Sequence, residues 1–253
     1  MRGAEYNEVM RPNIRKKIKK FFAAISLLST QLIIILILFV IALFAFVFLV
    51  YWIIKENRVG FDFAVFKLIE PHITNVRTGI MNSISFLGAH SFLIPANLIL
   101  IAYFLFIKKR RWYSIKIPVV SLGSLLVMMG LKRFFSRPRP DNPILREVSN
   151  FSFPSGHAMV SFTFYGLLIY LVWQNVRNLW LRWILVISLV CLIIAIGVSR
   201  IYLRYHYATD VLAGFCLGLI WLVISIAVIT RIEKYTRKEI APIVEEKKVP
   251  SVV

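Results

Sequence analysis

Two of the four histidines in this 253-residue chain stand in short polar breaks between long apolar runs. His157 closes Pro154-Ser155-Gly156-His157, and His206 lies in Ser199-Arg200-Ile-Tyr-Leu-Arg-Tyr-His206-Tyr-Ala-Thr-Asp210. A third break, Lys132-Arg-Phe-Phe-Ser-Arg-Pro-Arg139-Pro140, is strongly basic. Polar groups are costly beside hydrocarbon, so three such breaks ask for a chemical reason. Lys132, Arg139 and Arg200 carry charge and multiple donors suited to phosphoryl oxygens. A helix starting near Ser155 points unpaired N–H groups and its positive dipole end outward, and Gly156 lets an anion approach that backbone. On a helix His206 and Asp210 share a face, so Asp210 could accept from one ring nitrogen and leave the other as nucleophile or base. His157 could protonate a leaving oxygen. Two histidines, one oriented by a carboxylate, with three cations and a helix terminus, describe a metal-free phosphoryl-transfer site.

The elements that must position these groups are membrane helices. Hydrophobic residues make up 59% of the chain, and several runs approach or exceed the ~20 residues that cross a bilayer as helix. The expectation is an all-α polytopic membrane protein with six spans, near 31–54, 90–107, 113–131, 157–174, 179–198 and 208–230. Residues 1–30 read as a basic amphipathic lead-in on an anionic leaflet, 31–230 as the six-span domain, and 231–253 as a charged, disordered tail. The first span is too long for a cleaved signal and reads as an anchor. Residues 55–89 read as short interfacial helix or loop, because Phe61, Phe63, Phe66 and Leu68 alternate with polar groups and Pro71 breaks the run. Cys191 and Cys216 read as buried thiols inside apolar runs.

The +19 net charge suggests nucleic acid at first sight, but most of it flanks the spans, where it sets topology. With six spans, the basic N-terminal segment, the 108–112 cluster Lys-Lys-Arg-Arg-Trp, the turn with Arg177 and Arg182, and the C-terminus share one side, which is then cytoplasmic. Lys132, Arg133, Arg137, Arg139, Arg146, Arg200 and Arg204 fall on the opposite face. Cations placed against the topological preference need another reason, and an anionic substrate supplies one.

The ordered set Lys-x6-Arg-Pro, Pro-Ser-Gly-His, Ser-Arg-x5-His-x3-Asp resembles the signature of the type 2 phosphatidic acid phosphatase (PAP2) superfamily, with spacers of 13 and 41 residues. The resemblance covers about 60–230 and implies a helical bundle carrying a lipid phosphate phosphatase. By that resemblance His206 attacks phosphorus to form a phosphohistidine, Asp210 holds its ring, and His157 donates a proton to the leaving group. Lys132, Arg139, Arg200, Ser155 and the Gly156 backbone hold the phosphoryl oxygens. It implies no metal and no cofactor; the three aspartates, Asp62, Asp141 and Asp210, are widely separated in the sequence. The partners it implies are a lipid phosphate substrate and membrane lipids, not nucleic acid, with the site on the outer face of the plasma or inner membrane.

Each motif also has a structural reading. Lys132 and Arg139 could anchor a helix end, Ser155 could simply cap a helix, and His206 with Asp210 could stabilise a turn. Arg133, Arg137 and Arg204 read as headgroup contacts, His72 and His90 as interfacial, and Gly214-x3-Gly218 as a helix-packing pair. Two other functions compete with hydrolysis. A phosphotransferase would pass the phosphoryl group to a second lipid, and an anion or lipid transporter would line a path with these cations. Transport fits poorly, since the span interiors hold almost no ionisable residues.

Overall fold

The computed structural model describes residues 30–56 and 60–240. Apart from Thr30, the expected lead-in lies outside the described residues, as does the tail beyond 240. Two compact units divide the chain. Of Met1–Ile41 the described part is the beginning of one apolar helix, and Ala42–Val253 holds all that follows.

Eight α-helices run through the described residues: α1 Thr30–Glu56, α2 Gly60–Ile69, α3 Asn75–Phe86, α4 His90–Ala102, α5 Arg111–Phe135, α6 Gly156–Asn175, α7 Leu179–Tyr202 and α8 Ala208–Tyr235. Short 3-10 and π turns follow α2, α4 and α8. Among the described residues, six segments are long and apolar enough to cross a membrane: Leu32–Ile53, Asn75–Ile107, Arg111–Phe135, Gly156–Asn175, Leu179–Tyr202 and Ala208–Lys238. The chain is thus an all-helical, multi-pass membrane protein, as its hydrophobic runs predict.

Two expectations need correction. Residues 75–89 are not an interfacial loop: α3 continues through a turn into α4, and the second span begins at Asn75. Its polar residues obscure it in the sequence, yet one of them, Ser85, is buried, and α3 packs along α7. Cys191 is exposed, not buried, on the apolar outer side of α7 near Ile187, Val190 and Ile194. At the chain's end α8 runs to Tyr235, with Glu233 paired to Lys116 at 2.9 Å and to Arg237 at 3.0 Å.

Helices α6, α7 and α8 form the packed centre. A Cβ on Gly214 would stand 2.8 Å from the Ser155 carbonyl oxygen, and one on Gly218 would stand 2.8 Å from Phe162 Cβ. Only hydrogen fits at either position, so α8 can lie close against α6, as the small-residue spacing predicts. Met128, Met159 and Leu217 pack together in this region, while Ile117, Val120 and Leu167 fill a separate core with no exposed surface. Packing of this kind fixes the four helix ends from which the site is built.

Candidate active site

The site lies where α5 and α7 end and α6 and α8 begin. At the end of α5, Ser136 adopts a left-handed conformation (φ 48°) and its N–H bonds the Lys132 carbonyl, so the chain turns sharply into Arg137–Pro140. Ser155 caps α6, its hydroxyl accepting from Ala158 N–H at 3.4 Å. The Ser155 N–H in turn donates to the Asp210 carbonyl at 3.0 Å, tying the start of α6 to the start of α8. A Cβ on Gly156 would meet Met128 at 3.3 Å and lie 3.7 Å from Lys132 Cε. The glycine therefore also serves close packing of α6 on α5.

Three cations converge here. Lys132 Nζ donates to the Phe151 carbonyl at 2.5 Å. Arg139 donates to the Asn150 carbonyl at 2.7 Å, to the Asn150 side chain, and to the Tyr205 carbonyl at 2.5 Å. Its Nη1 also stands 3.4 Å from His206 Nε2. Arg200 is 7% exposed, donates to Ser85 Oγ at 2.5 Å, and stacks over the Tyr205 ring at 4.3 Å. Its Nε is buried without a hydrogen-bond partner. An unsatisfied buried guanidinium N–H is expensive, and an arriving anion would satisfy it.

His206 is buried among these charges. Burial, followed by the charges of Arg139, Arg200 and Lys132, holds its ring well below the ordinary value of 6.5, with a hydrogen bond to Ser152 working the other way. The ring is therefore neutral at physiological pH. Its Nδ1 lies 3.6 Å from Asp210 Oδ2 and 3.4 Å from Ser152 Oγ, and Ser152 itself bonds Asp210. A carboxylate on that side places the proton on Nδ1 and leaves the Nε2 lone pair free. His157 is part-buried at the first turn of α6, within electrostatic reach of Arg200, His206, His90 and Arg139.

The structure thus brings His157, His206, Asp210, Lys132, Arg139, Ser155, Gly156 and Arg200 to one end of the bundle. It changes how two of them meet. His206 is not on a helix with Asp210: α8 begins at Ala208, and the pair faces across that start with Ser152 between them. Arg137, expected at headgroups, instead points inward, donating to Asp210 at 2.6 Å and to Asp62 at 3.0 Å. Asp62 and Asp210, far apart in sequence, therefore share one guanidinium. Arg204 pairs with Glu70 at 3.4 Å. Sequence reasoning missed Asp62, Ser85 and Ser152. For Asp62 a signal existed, an acid set among phenylalanines, since a buried ionisable residue in such a protein marks a site by default.

Comparison with known proteins gives the family. The model of the PAP2 superfamily matches residues 113–234. Phosphatidylglycerophosphatase B of Bacillus subtilis (strain 168) is 32% identical over 170 residues, covering 67% of this chain and 81% of the relative. The chain belongs to the PAP2 superfamily. Among PAP2 structures, the transmembrane phosphatidylglycerolphosphate phosphatase from Bacillus subtilis superposes with a TM-score of 0.71 at 29% identity, covering 78% of this chain and 98% of that one. An undecaprenyl-diphosphatase of Sulfolobus acidocaldarius is 27% identical, covering 64% of this chain and 76% of its own. This PAP2 protein is accordingly an enzyme, a membrane phosphatase that hydrolyses phosphate esters.

Proposed function

We propose that this phosphatase removes phosphomonoester or diphosphate groups from membrane lipids through a covalent intermediate on His206. The observation that carries the reading is the neutral, buried His206, its Nε2 faced by Arg139, beside an Arg200 whose Nε has no partner. Nε2 attacks the terminal phosphorus, its bond to the lipid oxygen (or, in a diphosphate, to the oxygen bridging it to the lipid-linked α-phosphate) breaks, and His157 supplies a proton to the departing oxygen. Water, deprotonated by His157, then attacks the phosphohistidine; the P–N bond breaks and inorganic phosphate leaves. Lys132, Arg139, Arg200 and the N–H groups at the start of α6 hold the charge that builds on the phosphoryl oxygens. Asp210 and Ser152 keep the His206 ring in place. The step needs no metal ion.

Named relatives act on phosphatidylglycerol phosphate and undecaprenyl diphosphate, which supports substrates of the same class: a phosphorylated headgroup on a hydrocarbon tail. A cavity of about 260 Å³ beside Arg139, lined also by Asp141, Asn142, Glu147, Arg204 and Tyr205, offers room for such a headgroup. The positive-inside bias of the other end supports an outward-facing site in the plasma or inner membrane, with both termini cytoplasmic. The test is phosphate release in detergent from a panel of lipid monophosphates and diphosphates. His206→Ala should fall below about 10⁻⁴ of wild-type activity, and chelator should have no effect. Wild-type-like release by that variant contradicts the mechanism, and transfer to a second lipid in place of inorganic phosphate contradicts hydrolysis.

A further inference from the structure

Asp62 lies on α2, outside every motif, and has no exposed surface. A charge is retained in such a place only where partners satisfy it. Its Oδ1 accepts from Thr209 N–H at 2.9 Å, and its Oδ2 accepts from Thr209 Oγ1 at 2.8 Å and Arg137 Nη2 at 3.0 Å. The carboxylate thereby sits on the positive end of α8, where an anion is favoured. One helical turn later Phe66 packs its ring against Tyr207 at 5.9 Å, so one face of α2 grips both residues that flank Ala208.

Arg137 carries this grip to the reacting group. Its other terminal nitrogen donates to Asp210 Oδ1 at 2.6 Å and to Thr209 Oγ1 at 2.9 Å, and its guanidinium lies 4.2 Å over the Tyr207 ring. The Arg137 carbonyl accepts from Ser152 N–H at 2.8 Å, and it is Ser152 that touches both the His206 ring and Asp210. The same turn presents Arg139 to His206 Nε2. A planar fork between two carboxylates fixes direction as well as distance, which a lone cation does not.

We propose that Asp62 and Arg137 are positioning residues for the nucleophile. Asp62 orients Arg137, and Arg137 orients Asp210 and Ser152, so that His206 Nε2 is held on the line of attack. The inference rests on the phosphohistidine reading and extends it to α2, which the motifs do not include. Losing the grip leaves every phosphate-binding cation in place but lets the ring drift, and a displacement of about 1 Å costs about 10²-fold in rate.

The test is steady-state kinetics on the detergent-purified full chain. Asp62→Asn keeps the shape and an acceptor but removes the charge; it should lower kcat at least about tenfold with KM within about twofold. Leu167→Ala, in the separate core, serves as a control: it should lower Tm while leaving kcat within about twofold. A kcat loss smaller than tenfold in Asp62→Asn, or a loss carried by KM, overturns the proposal and leaves Asp62 a stabilising cap for α8. Should Asp62→Asn fail to purify as a folded protein, Arg137→Lys, which keeps the charge without the fork, is judged by the same limits. His206→Ala run in parallel separates the two ideas, since release retained there sinks the phosphohistidine reading itself.

Discussion

Both ends of α5 and α8 are rich in cations, yet they are built differently. At one end Lys132, Arg137, Arg139 and Arg200 donate to main-chain carbonyls, to side-chain acceptors and to carboxylates. At the other, Lys109, Arg110 and Arg111 are exposed around a cavity of about 480 Å³; Arg110 reaches Asn175 at 3.0 Å, while Lys116 and Glu233 pair beneath. Charge alone does not make the candidate site. What differs is how far each cation is withdrawn from water, because a desolvated, pre-aimed donor acts on a phosphoryl group far more strongly than one already solvated.

That contrast can be broken experimentally. The largest expected effect is at the end that holds the candidate site: Arg200→Ala should cut kcat/KM by about 10²–10³-fold in phosphate-release assays, the range for removing one pre-organised donor. A middling effect is expected on stability against pH. Because burial and neighbouring cations hold His206 below its ordinary 6.5 in the folded protein, the unfolded chain takes up the proton first as pH falls. The stabilisation from neutral His206 is complete above 6.5 and is lost toward acid. Tm in detergent should therefore drop as the pH falls below about 6.5, less steeply in His206→Gln, and equal slopes would argue against a buried neutral ring. The smallest effect belongs to the other end. Replacing Lys109, Arg110 and Arg111 together by Gln should change kcat/KM less than about twofold, as solvated surface charges usually do. A larger loss there would erase the distinction drawn between the two ends.

The sequence makes legible what is local. Apolar run length predicts six spans, and the motifs at helix ends predict that Lys132, Arg139, His157, Arg200, His206 and Asp210 gather at one end of the bundle, because a helix terminus places such residues in predictable directions. Gly214 and Gly218 are equally readable, since their spacing is that of a helix contact. What escapes is the set of pairings that cross the chain. Asp62 meets Thr209 across 147 residues and Arg200 meets Ser85 across 115, and no periodicity encodes such contacts. Arg137 sits beside Arg139 in a stretch where every arginine looks like a membrane anchor, and only the fold shows which one turns inward. The second span starts earlier than run length predicts because polar residues, most of them exposed, interrupt the apolar ones of α3, and its packing along α7 is a long-range contact that no run length encodes.

The central claim is a covalent bond between phosphorus and His206. It is tested most directly by quenching the enzyme in base during turnover of a phosphate-labelled lipid and locating the label by peptide mass spectrometry. The account predicts an acid-labile, base-stable phosphate on His206, absent from His206→Ala. Label on another residue, or a turning-over enzyme that never carries label, would contradict it.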